Sequence, residues 1–236
     1  MPRVLITGAN RGLGLEFAKQ YAAENWTVLA TMRDPEKALE LKQIASRHRA
    51  VETYALDIAN EASIEELADE LDGKPIDVVI HNSGIYPQKG QKAGEIDYDG
   101  WREALEINLF GPMRLMEALL ENVAASERKL IAAISSSMAS LRAVQGGSVA
   151  RAGVAYQYRT SKTALNMAMS VLAIELAPRG ISVVIIDPGW VKTDMGGPNA
   201  QLTPEQSISG IRKVLARDPK EISGKFIGYD GVARPW

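Results

Sequence analysis

Apolar, β-branched runs alternate with amphipathic segments along the whole chain. The apolar runs predict strands at residues 3–7, 27–31, 52–56, 76–81, 129–135, 181–186 and 224–227. Helical periodicity occurs between them, at residues 13–24, 35–48, 61–71, 98–122, 154–176 and 204–216. Because continuous apolar strands joined by helices are typical of a buried parallel sheet, we predict an α/β fold. It should be a single-domain, Rossmann-type, doubly wound parallel sheet of about seven strands, with helices on both faces, spanning residues 1–236.

Three segments rich in Gly, Pro or polar residues follow strands, at residues 85–97, 141–153 and 189–202. Loops after the carboxyl ends of strands form the ligand crevice of a doubly wound fold. We therefore expect these segments to border a substrate, although ordinary surface loops have the same composition. The sequence Thr203-Pro204-Glu205-Gln206 instead predicts a capping box at the start of a helix.

Composition narrows the classes of partner. The chain has 236 residues, 46% of them hydrophobic and 24% charged, with a formal net charge of −2. This balance gives no reason to expect nucleic acid or an anionic membrane as a partner. No cysteine is present, and His48 and His81 belong to no metal-binding motif, so we expect no metal site. No targeting segment precedes the first strand, and the apolar runs are too short to span a membrane, so we predict a cytoplasmic location.

Tyr158 and Lys162 lie four residues apart in a predicted helix, so they share one face of it. A phenol titrates near pH 10 and is a poor acid/base catalyst at neutral pH unless its phenolate is stabilised. A neighbouring ammonium stabilises the phenolate, at about 1.4 kcal/mol for each unit of pKa depression. The pair matters only if it faces a cofactor; otherwise it is a half-buried tyrosine beside an exposed lysine.

A glycine-rich turn joins the first strand to the first helix, with Gly8, Gly12 and Gly14 in a G-x-x-x-G-x-G spacing. Glycines let the backbone turn sharply and let a pyrophosphate approach the amides of a helix N-terminus. We expect the turn, including Asn10, Arg11 and Leu13, to bind a dinucleotide. A tight turn without a ligand is the alternative.

The end of the second strand indicates which dinucleotide is bound. NAD sites usually carry an acid there, whereas this chain has Met32 and Arg33. Arg33, together with Arg11, suits a ribose 2′-phosphate, so NADP(H) is the predicted cofactor. Asp34 is the alternative acid, although we interpret it as the entry to the next helix.

The next two strands each end at candidate cofactor contacts. Asp57 can accept from the adenine amine while the Ile58 amide donates to the ring, although helix capping explains Asp57 equally well. Asn82-Ser83-Gly84 lets the backbone pass close to a cofactor, as a plain turn would too.

Together these motifs resemble the short-chain dehydrogenase/reductase family over essentially the full length. The matching pieces are the glycine turn, Asp57, Asn82-Ser83-Gly84, Asn108, Ser136, Tyr158, Lys162 and Asp187-Pro188-Gly189. Residues 188–198, 134–138 and 226–236 are similar to the C-factor/Sniffer-type carbonyl reductases, a subgroup whose chains typically end in tryptophan.

The resemblance implies a catalytic set of Asn108, Ser136, Tyr158 and Lys162. Tyr158 would exchange a proton with the carbonyl oxygen, and Ser136 would hydrogen-bond that oxygen. Lys162 would lower the pKa of Tyr158 and hold the ribose, and Asn108 would hold a water that relays protons. Alternatively, Asn108 bonds its own helix backbone. The resemblance further implies cofactor contacts from Pro188, Gly189, Val191 and Thr193.

Two assignments keep alternatives open. Ser136 matches the family pattern, but Ser135 and Ser137 are its direct neighbours. The separation between Ser136 and Tyr158 is longer than usual for the family, and the excess lies in residues 141–153. Tyr156 is a less suitable acid because the residue four positions later is Thr160.

The expected substrate is a small carbonyl or alcohol compound of apolar or aromatic character. Its predicted lining is Ile85, Tyr86, Met138, Trp190, Val191 and Met195, although Trp190 could be core. Arg142 and Arg151 could recognise an acidic group, but a solvated surface role suits both.

The predicted function is an NADPH-dependent carbonyl reductase. The alternatives are an NAD-dependent alcohol dehydrogenase and a cofactor-binding, C-factor-like signalling protein with little catalysis. The resemblance also implies a homodimer or homotetramer formed through the long helices.

Overall fold

A computed structural model describes residues 1–87, 93–147 and 154–236. Seven parallel strands form one sheet in the order β3-β2-β1-β4-β5-β6-β7. They are β1 (Arg3–Ile6), β2 (Thr27–Met32), β3 (Val51–Ala55), β4 (Val78–His81), β5 (Leu130–Ile134), β6 (Ser182–Asp187) and β7 (Phe226–Gly228). The strand order reverses between β1 and β4, which confirms the predicted doubly wound parallel fold.

Helices connect the strands and cover the sheet. The described parts of the chain contain α1 (Gly12–Ala22), α2 (Leu39–Arg47), α3 (Glu61–Glu70), α4 (Tyr98–Leu105), α5 (Gly111–Ala124), α6 (Leu141–Gln145), α7 (Tyr156–Leu176), α8 (Pro204–Leu215) and α9 (Pro219–Ile222). None of these helices has both the length and the apolar character needed to cross a membrane. The predicted capping box is confirmed at the start of α8, where Thr203 and Gln206 each bond the other's backbone N–H.

Three predicted segments differ from the structure. The helix predicted at 35–48 is interrupted, because Ala38 (φ −84°, ψ 57°) separates a 3₁₀ turn, Pro35–Lys37, from α2. A π-helical turn, Glu106–Phe110, lies between α4 and α5, within the region predicted as one regular helix. Segment 141–153 begins with α6 rather than a loop, since Ser140 caps that helix by accepting from the Ala143 N–H at 3.0 Å.

The two faces of the sheet carry separate hydrophobic cores. Val184 of β6 belongs to a cluster with Phe17 of α1, whereas its neighbour Val183 belongs to the opposite cluster with Leu165 of α7. Alternate side chains of a strand point to opposite faces, so nearly every position of a central strand is buried. This double burial explains why the strands are continuous apolar runs in the sequence.

The carboxyl ends of β1 and β4 are joined directly. The Thr7 hydroxyl accepts from the backbone N–H groups of Asn82 and Ser83, both at 2.9 Å. At the neighbouring strands, the Ser135 N–H donates to the Ile186 carbonyl at 2.7 Å. One edge of the sheet therefore gathers the loops that carry the predicted site residues.

Candidate active site

A cavity of about 620 Å³ runs along this edge of the sheet, from the end of β2 to Tyr158 on α7. It is lined by most of the predicted site residues: Gly8, Asn10, Arg11, Gly12, Leu13, Arg33, Asp57, Ile58, Asn82, Ser83, Gly84, Tyr158, Lys162, Pro188 and Thr193. Five others lie outside the lining: Gly14, Asn108, Ser136, Gly189 and Val191. The volume is within the range of small-molecule sites, about 300–1,000 Å³.

The glycine turn forms one wall of the cavity. Gly8 and Gly12 have positive φ values of 66° and 54°, which side chains other than glycine adopt at a cost. A Cβ on Gly14 would lie 2.1 Å from the Gly8 carbonyl oxygen. Asn82 fixes the same turn by donating from Nδ2 to the carbonyls of Thr7 at 2.9 Å and Gly8 at 3.2 Å. Gly14 and Asn82 therefore shape the turn through packing and hydrogen bonds.

Arg33 lies exposed at the far end of the cavity, and Lys37, which the sequence analysis did not select, lines the same end. Asp34 caps the 3₁₀ turn by accepting from the Glu36 and Lys37 N–H groups, and its carboxylate pairs with Lys37 Nζ at 2.8 Å. The interpretation of Asp34 as a helix entry is therefore confirmed.

Arg11 forms an ion pair beside the cavity. Its guanidinium donates to Asp194 Oδ2 at 2.6 Å, and both side chains are largely exposed. The pair connects the glycine turn to segment 189–202 beside the cavity. Arg11 and Arg33 both line the cavity, but the Arg11 guanidinium is paired with Asp194 in this structure.

Asp57 does not cap the helix that follows it. Its carboxylate accepts from the Ala59 N–H at 3.1 Å, while Asn60 caps α3 by accepting from the Ala62 N–H at 3.0 Å. Helix capping is therefore wrong as the explanation for Asp57. Asp57 and Ile58 both line the cavity.

Tyr158 lies at the inner end of the cavity and is 7% exposed. Its ring stacks on Tyr86, with centroids 4.4 Å apart and planes 13° from parallel. Burial raises the pKa of Tyr158 to about 12; a hydrogen bond with Ser136 acts in the opposite direction, and the charges of Asp187 and Tyr86 add to the increase. The phenol is therefore fully protonated at neutral pH.

Lys162 is buried one helical turn from Tyr158, and its Nζ donates to the Ile134 carbonyl at 2.8 Å. Burial lowers the pKa of Lys162 to about 8. The net pKa of Tyr158 is raised in this structure, which is opposite to the direction expected from Lys162. The removal of the phenol from water dominates, and the ammonium is bonded to a backbone carbonyl.

The three consecutive serines have distinct surroundings. Ser135 borders the cavity, but its hydroxyl is buried and donates to Asn166 Oδ1 at 2.5 Å. Ser137 is exposed. Ser136 accepts from the Met138 N–H at 3.1 Å, and its hydroxyl lies near enough to Tyr158 to lower the pKa of the phenol. Of the three hydroxyls, that of Ser136 is the one beside the phenol.

Asn108 lies in the π-helical turn and is fully buried. Its Nδ2 donates to the Ile85 carbonyl at 3.0 Å and to Ser161 Oγ at 2.9 Å, while its Oδ1 accepts from the Ile85 N–H at 2.9 Å. The alternative bond to its own helix backbone is therefore wrong. The side chain holds the loop after β4, and a water near Asn108 stays a prediction.

The predicted substrate lining is only partly present. Ile85 and Met195 border the cavity, and Tyr86 covers the Tyr158 ring. Trp190 is 52% exposed and its indole donates to the Gly196 carbonyl at 2.8 Å, so it is neither core nor cavity lining. Val191 is buried and forms a β-bridge with Leu202.

The remaining predicted substrate residues lie at the margins of the described structure. Met138 is half-buried, and its carbonyl accepts from Arg159 at 3.2 Å. Arg142 is exposed, as a solvated surface role requires. Arg151 and the rest of residues 148–153, with residues 88–92 of the first segment, lie outside the described residues.

Gly189 has a structural reason to be glycine. Its φ is 76°, and a Cβ there would lie 2.7 Å from the Leu202 side chain. Thr193 lines the cavity and accepts from the Gly196 N–H at 3.1 Å. Together with the bridge between Val191 and Leu202, these contacts close segment 189–202 on itself.

The residues present fit an NADP-type dinucleotide. The turn at Gly12 brings backbone close to the cavity at the N-terminus of α1, which suits a pyrophosphate. Arg33 and Lys37 suit a phosphate on the ribose. Tyr158 and Lys162 would hold the opposite end, where a nicotinamide would bring its redox chemistry.

Comparisons with known proteins agree with this geometry. The family model described as short chain dehydrogenase matches residues 2–202. The C-signal protein of Myxococcus xanthus is 38% identical over 162 residues, covering 69% of this chain and 93% of the relative. The NADPH-bound carbonyl reductase from chicken fatty liver is 31% identical, with a TM-score of 0.92 and coverage of 100% of this chain and 99% of that one. The carbonyl reductase Sniffer of D. melanogaster is 32% identical, with a TM-score of 0.91 and complete coverage of both chains, 100% each.

Proposed function

Because this chain belongs to the short-chain dehydrogenase family, we propose that it is an NADPH-dependent oxidoreductase that reduces a carbonyl group to an alcohol. Tyr158 acts as the acid/base. The observation that carries the proposal is the position of Tyr158, beside Ser136 and Lys162, at the inner end of a cavity that begins at the glycine turn. The similarity to an NADPH-bound carbonyl reductase supports the same cofactor and reaction class.

Each end of the cavity has a separate task in binding. Arg33 and Lys37 bind the ribose phosphate, and the turn containing Gly8 and Gly12 binds the pyrophosphate. Bound NADPH supplies the hydride. Lys162 holds the nicotinamide ribose from the inner end.

Tyr158 has the protonation state that carbonyl reduction needs. Burial keeps its proton in place at neutral pH, so Tyr158 can donate it to the carbonyl oxygen as negative charge develops there. Ser136 donates a hydrogen bond to the same oxygen and stabilises that charge. Asn108 keeps Ile85 in position beside the site.

The substrate is a small carbonyl compound of apolar or aromatic character. Ile85 and Met195 border the cavity, and the ring of Tyr86 lies against Tyr158. Apolar and aromatic surfaces of this kind favour ketones, aldehydes or quinones over sugar phosphates.

A Tyr158→Phe variant tests the function. It should lose nearly all NADPH oxidation with a panel of aromatic aldehydes, ketones and quinones, because phenylalanine has no proton to donate. NADPH affinity, measured by fluorescence titration, should change by less than about threefold. Tyr156→Phe is the matched control, since Tyr156 is half-buried against Trp101 and should retain turnover. Wild-type turnover by Tyr158→Phe would refute the mechanism.

The same panel addresses a signalling role, which the similarity to C-signal favours. A cofactor-binding signalling protein would bind NADPH without oxidising it in the presence of any carbonyl. The position of Tyr158 and Lys162 at the inner end of the cavity supports catalysis instead. The predicted cytoplasmic location stays a prediction.

The exposed face of α7 supports self-association. Met167, Val171 and Ile174 are 67%, 55% and 78% exposed, and their spacing places them on one side of the helix. We infer that a second copy of the chain covers this face in a homodimer or homotetramer. Val171→Glu should lower the oligomeric mass measured by light scattering; a monomeric wild type would contradict the inference.

A further inference from the structure

The chain after β7 returns to the active-site edge of the sheet. Arg234 lies there, and its Nε donates to Asp187 Oδ2 at 2.9 Å. The carboxylate side chain is 5% exposed and the guanidinium side chain 18% exposed, so water screens the pair weakly. The Arg234 N–H also donates to the Phe226 carbonyl at 2.8 Å, which fixes its backbone against β7.

Asp187 connects this pair to residues 135–137, the serine turn that follows β5. Its Oδ1 accepts from the Ser137 N–H at 2.9 Å. Ser137 directly follows Ser136, whose hydroxyl lies beside the Tyr158 phenol and lowers its pKa. The orientation of the Asp187 carboxylate therefore determines where the backbone presents the Ser136 hydroxyl.

Asp187 also acts on Tyr158 through its charge. Burial is the largest cause of the high pKa of Tyr158, and the Asp187 carboxylate adds to it. The other ionisable groups near the phenol are Lys162 on the same helix and Tyr86 against the ring, with Arg159 acting on Tyr86. Because a paired charge has a weaker field at a distance than a lone one, Arg234 limits the effect of Asp187.

The end of the chain holds the neighbouring segment as well. The Trp236 carbonyl accepts from the Arg142 N–H at 2.9 Å and from Ser140 Oγ at 3.1 Å. Its ring lies 5.5 Å from Phe226. Residues 234–236 therefore contact both Asp187 and the segment that follows the serine turn.

We propose that Arg234 is a positioning residue for the reaction: it orients and neutralises Asp187 so that Ser136 and Tyr158 keep their catalytic arrangement. This inference rests on the proposed function. Arg234 does not reach the substrate; it acts through the carboxylate and the Ser137 N–H.

Arg234→Gln tests the inference in the full-length protein. With para-nitrobenzaldehyde and NADPH, kcat should fall about tenfold or more while KM for NADPH changes little, because the serine turn moves but the glycine turn does not. For oxidation of para-nitrobenzyl alcohol, the pH at which kcat rises should increase by roughly half a unit to one unit, since the unpaired carboxylate opposes the phenolate.

Asp230→Asn is the matched control. Asp230 also pairs with Arg234, at 3.0 Å, but lies further into solvent and makes no contact with the serine turn among the described residues. It should retain wild-type kcat and pH profile. Arg234→Lys, which keeps the charge, should restore the pH profile and part of kcat.

Arg234→Gln combined with Asp187→Asn removes both charges and separates electrostatics from folding. The double variant should return the pH profile toward that of the wild type, because no lone carboxylate remains. Wild-type kinetics in Arg234→Gln would overturn the inference. A lower kcat with an unchanged pH profile, which the double variant does not restore, would also overturn the inference, because such a loss is purely structural. Absence of carbonyl reduction by the wild-type protein would instead refute the proposed function.

Discussion

Lys162 should lower the free energy of unfolding of the cofactor-free protein. Its side chain is 4% exposed, and its Nζ has the Ile134 carbonyl as a partner at 2.8 Å. Burying an ammonium with one neutral acceptor costs more than the hydrogen bond returns. We therefore expect Lys162→Met to unfold less readily than the wild type, even though it loses catalysis.

The magnitude follows from the pKa. Burial lowers the pKa of Lys162 from 10.5 to about 8. At about 1.4 kcal/mol for each unit, this cost is about 3 kcal/mol at neutral pH. Methionine removes the ammonium and leaves the Ile134 carbonyl without that donor, which costs about 1 kcal/mol. The net expectation is that Lys162→Met is more stable by about 2 kcal/mol at pH 7.

The pH dependence has a defined sign. Between about pH 8 and pH 10.5 the unfolded chain keeps a proton on Lys162 that the folded protein releases. The wild type therefore gains stability as pH rises through this window. The advantage of Lys162→Met should be largest below pH 8 and absent by about pH 10.

Urea unfolding of the cofactor-free proteins at several pH values measures both quantities. Lys213→Met is the control, because Lys213 is exposed on α8 and its loss should change the free energy of unfolding by less than about 0.5 kcal/mol. A Lys162→Met variant that is less stable than the wild type at pH 7 would refute the reasoning. So would an advantage that stays constant up to pH 10.

Three further outcomes are expected. Burial lowers the pKa of His81 from 6.5 to about 4, so the unfolded chain takes up a proton first as pH falls. In urea unfolding, the wild type should therefore lose about 3 kcal/mol of its free energy of unfolding between pH 7 and pH 4, and His81→Leu should not. The control variant His48→Gln, at a half-buried histidine, should behave like the wild type. Gly14→Ala places a Cβ 2.1 Å from the Gly8 carbonyl oxygen, so it should destabilise the protein by about 1–3 kcal/mol. It should also weaken NADPH binding about tenfold or more in a calorimetric titration, and wild-type affinity would contradict this. Arg33→Ser should lower the NADPH-to-NADH ratio of kcat/KM by about ten- to a hundredfold, because a charge-assisted phosphate contact is lost, and an unchanged ratio would exclude Arg33 from cofactor choice.

The sequence predicted the sheet closely because burial on both faces leaves one unambiguous pattern. Buried parallel strands are continuous apolar runs, and all seven lie within two residues of their predicted bounds. The helices were less predictable at two places. Ala38 has a high helix propensity but interrupts the predicted helix, since Asp34 caps a 3₁₀ turn before it. The π-helical turn around Asn108 covers only five residues, which is too short a stretch for helical periodicity to reveal.

The site residues that lie close together in the sequence could be predicted. The glycine turn and the pair of Tyr158 and Lys162 are visible as short spacings. Contacts across long stretches of chain were not visible. The Asp187–Arg234 pair spans 47 positions and the Arg11–Asp194 pair spans 183, and no local pattern indicates either. The sequence does not reveal how deeply the Tyr158 phenol is buried, which is why the predicted direction of its pKa shift was wrong.

That reversed direction suits the proposed reaction. Burial opposes charge on both groups, so it raises the pKa of Tyr158 and lowers that of Lys162. A phenol with a high pKa retains its proton until a stronger base, such as the oxygen of a carbonyl receiving hydride, appears beside it. Lys162 is still largely protonated at neutral pH and lies one helical turn away, so it can stabilise the phenolate that donation leaves. Oxidation needs the phenolate first, against the full cost of burial. At neutral pH the cofactor-free site therefore holds the protonated phenol that reduction needs, and rarely the phenolate that oxidation needs.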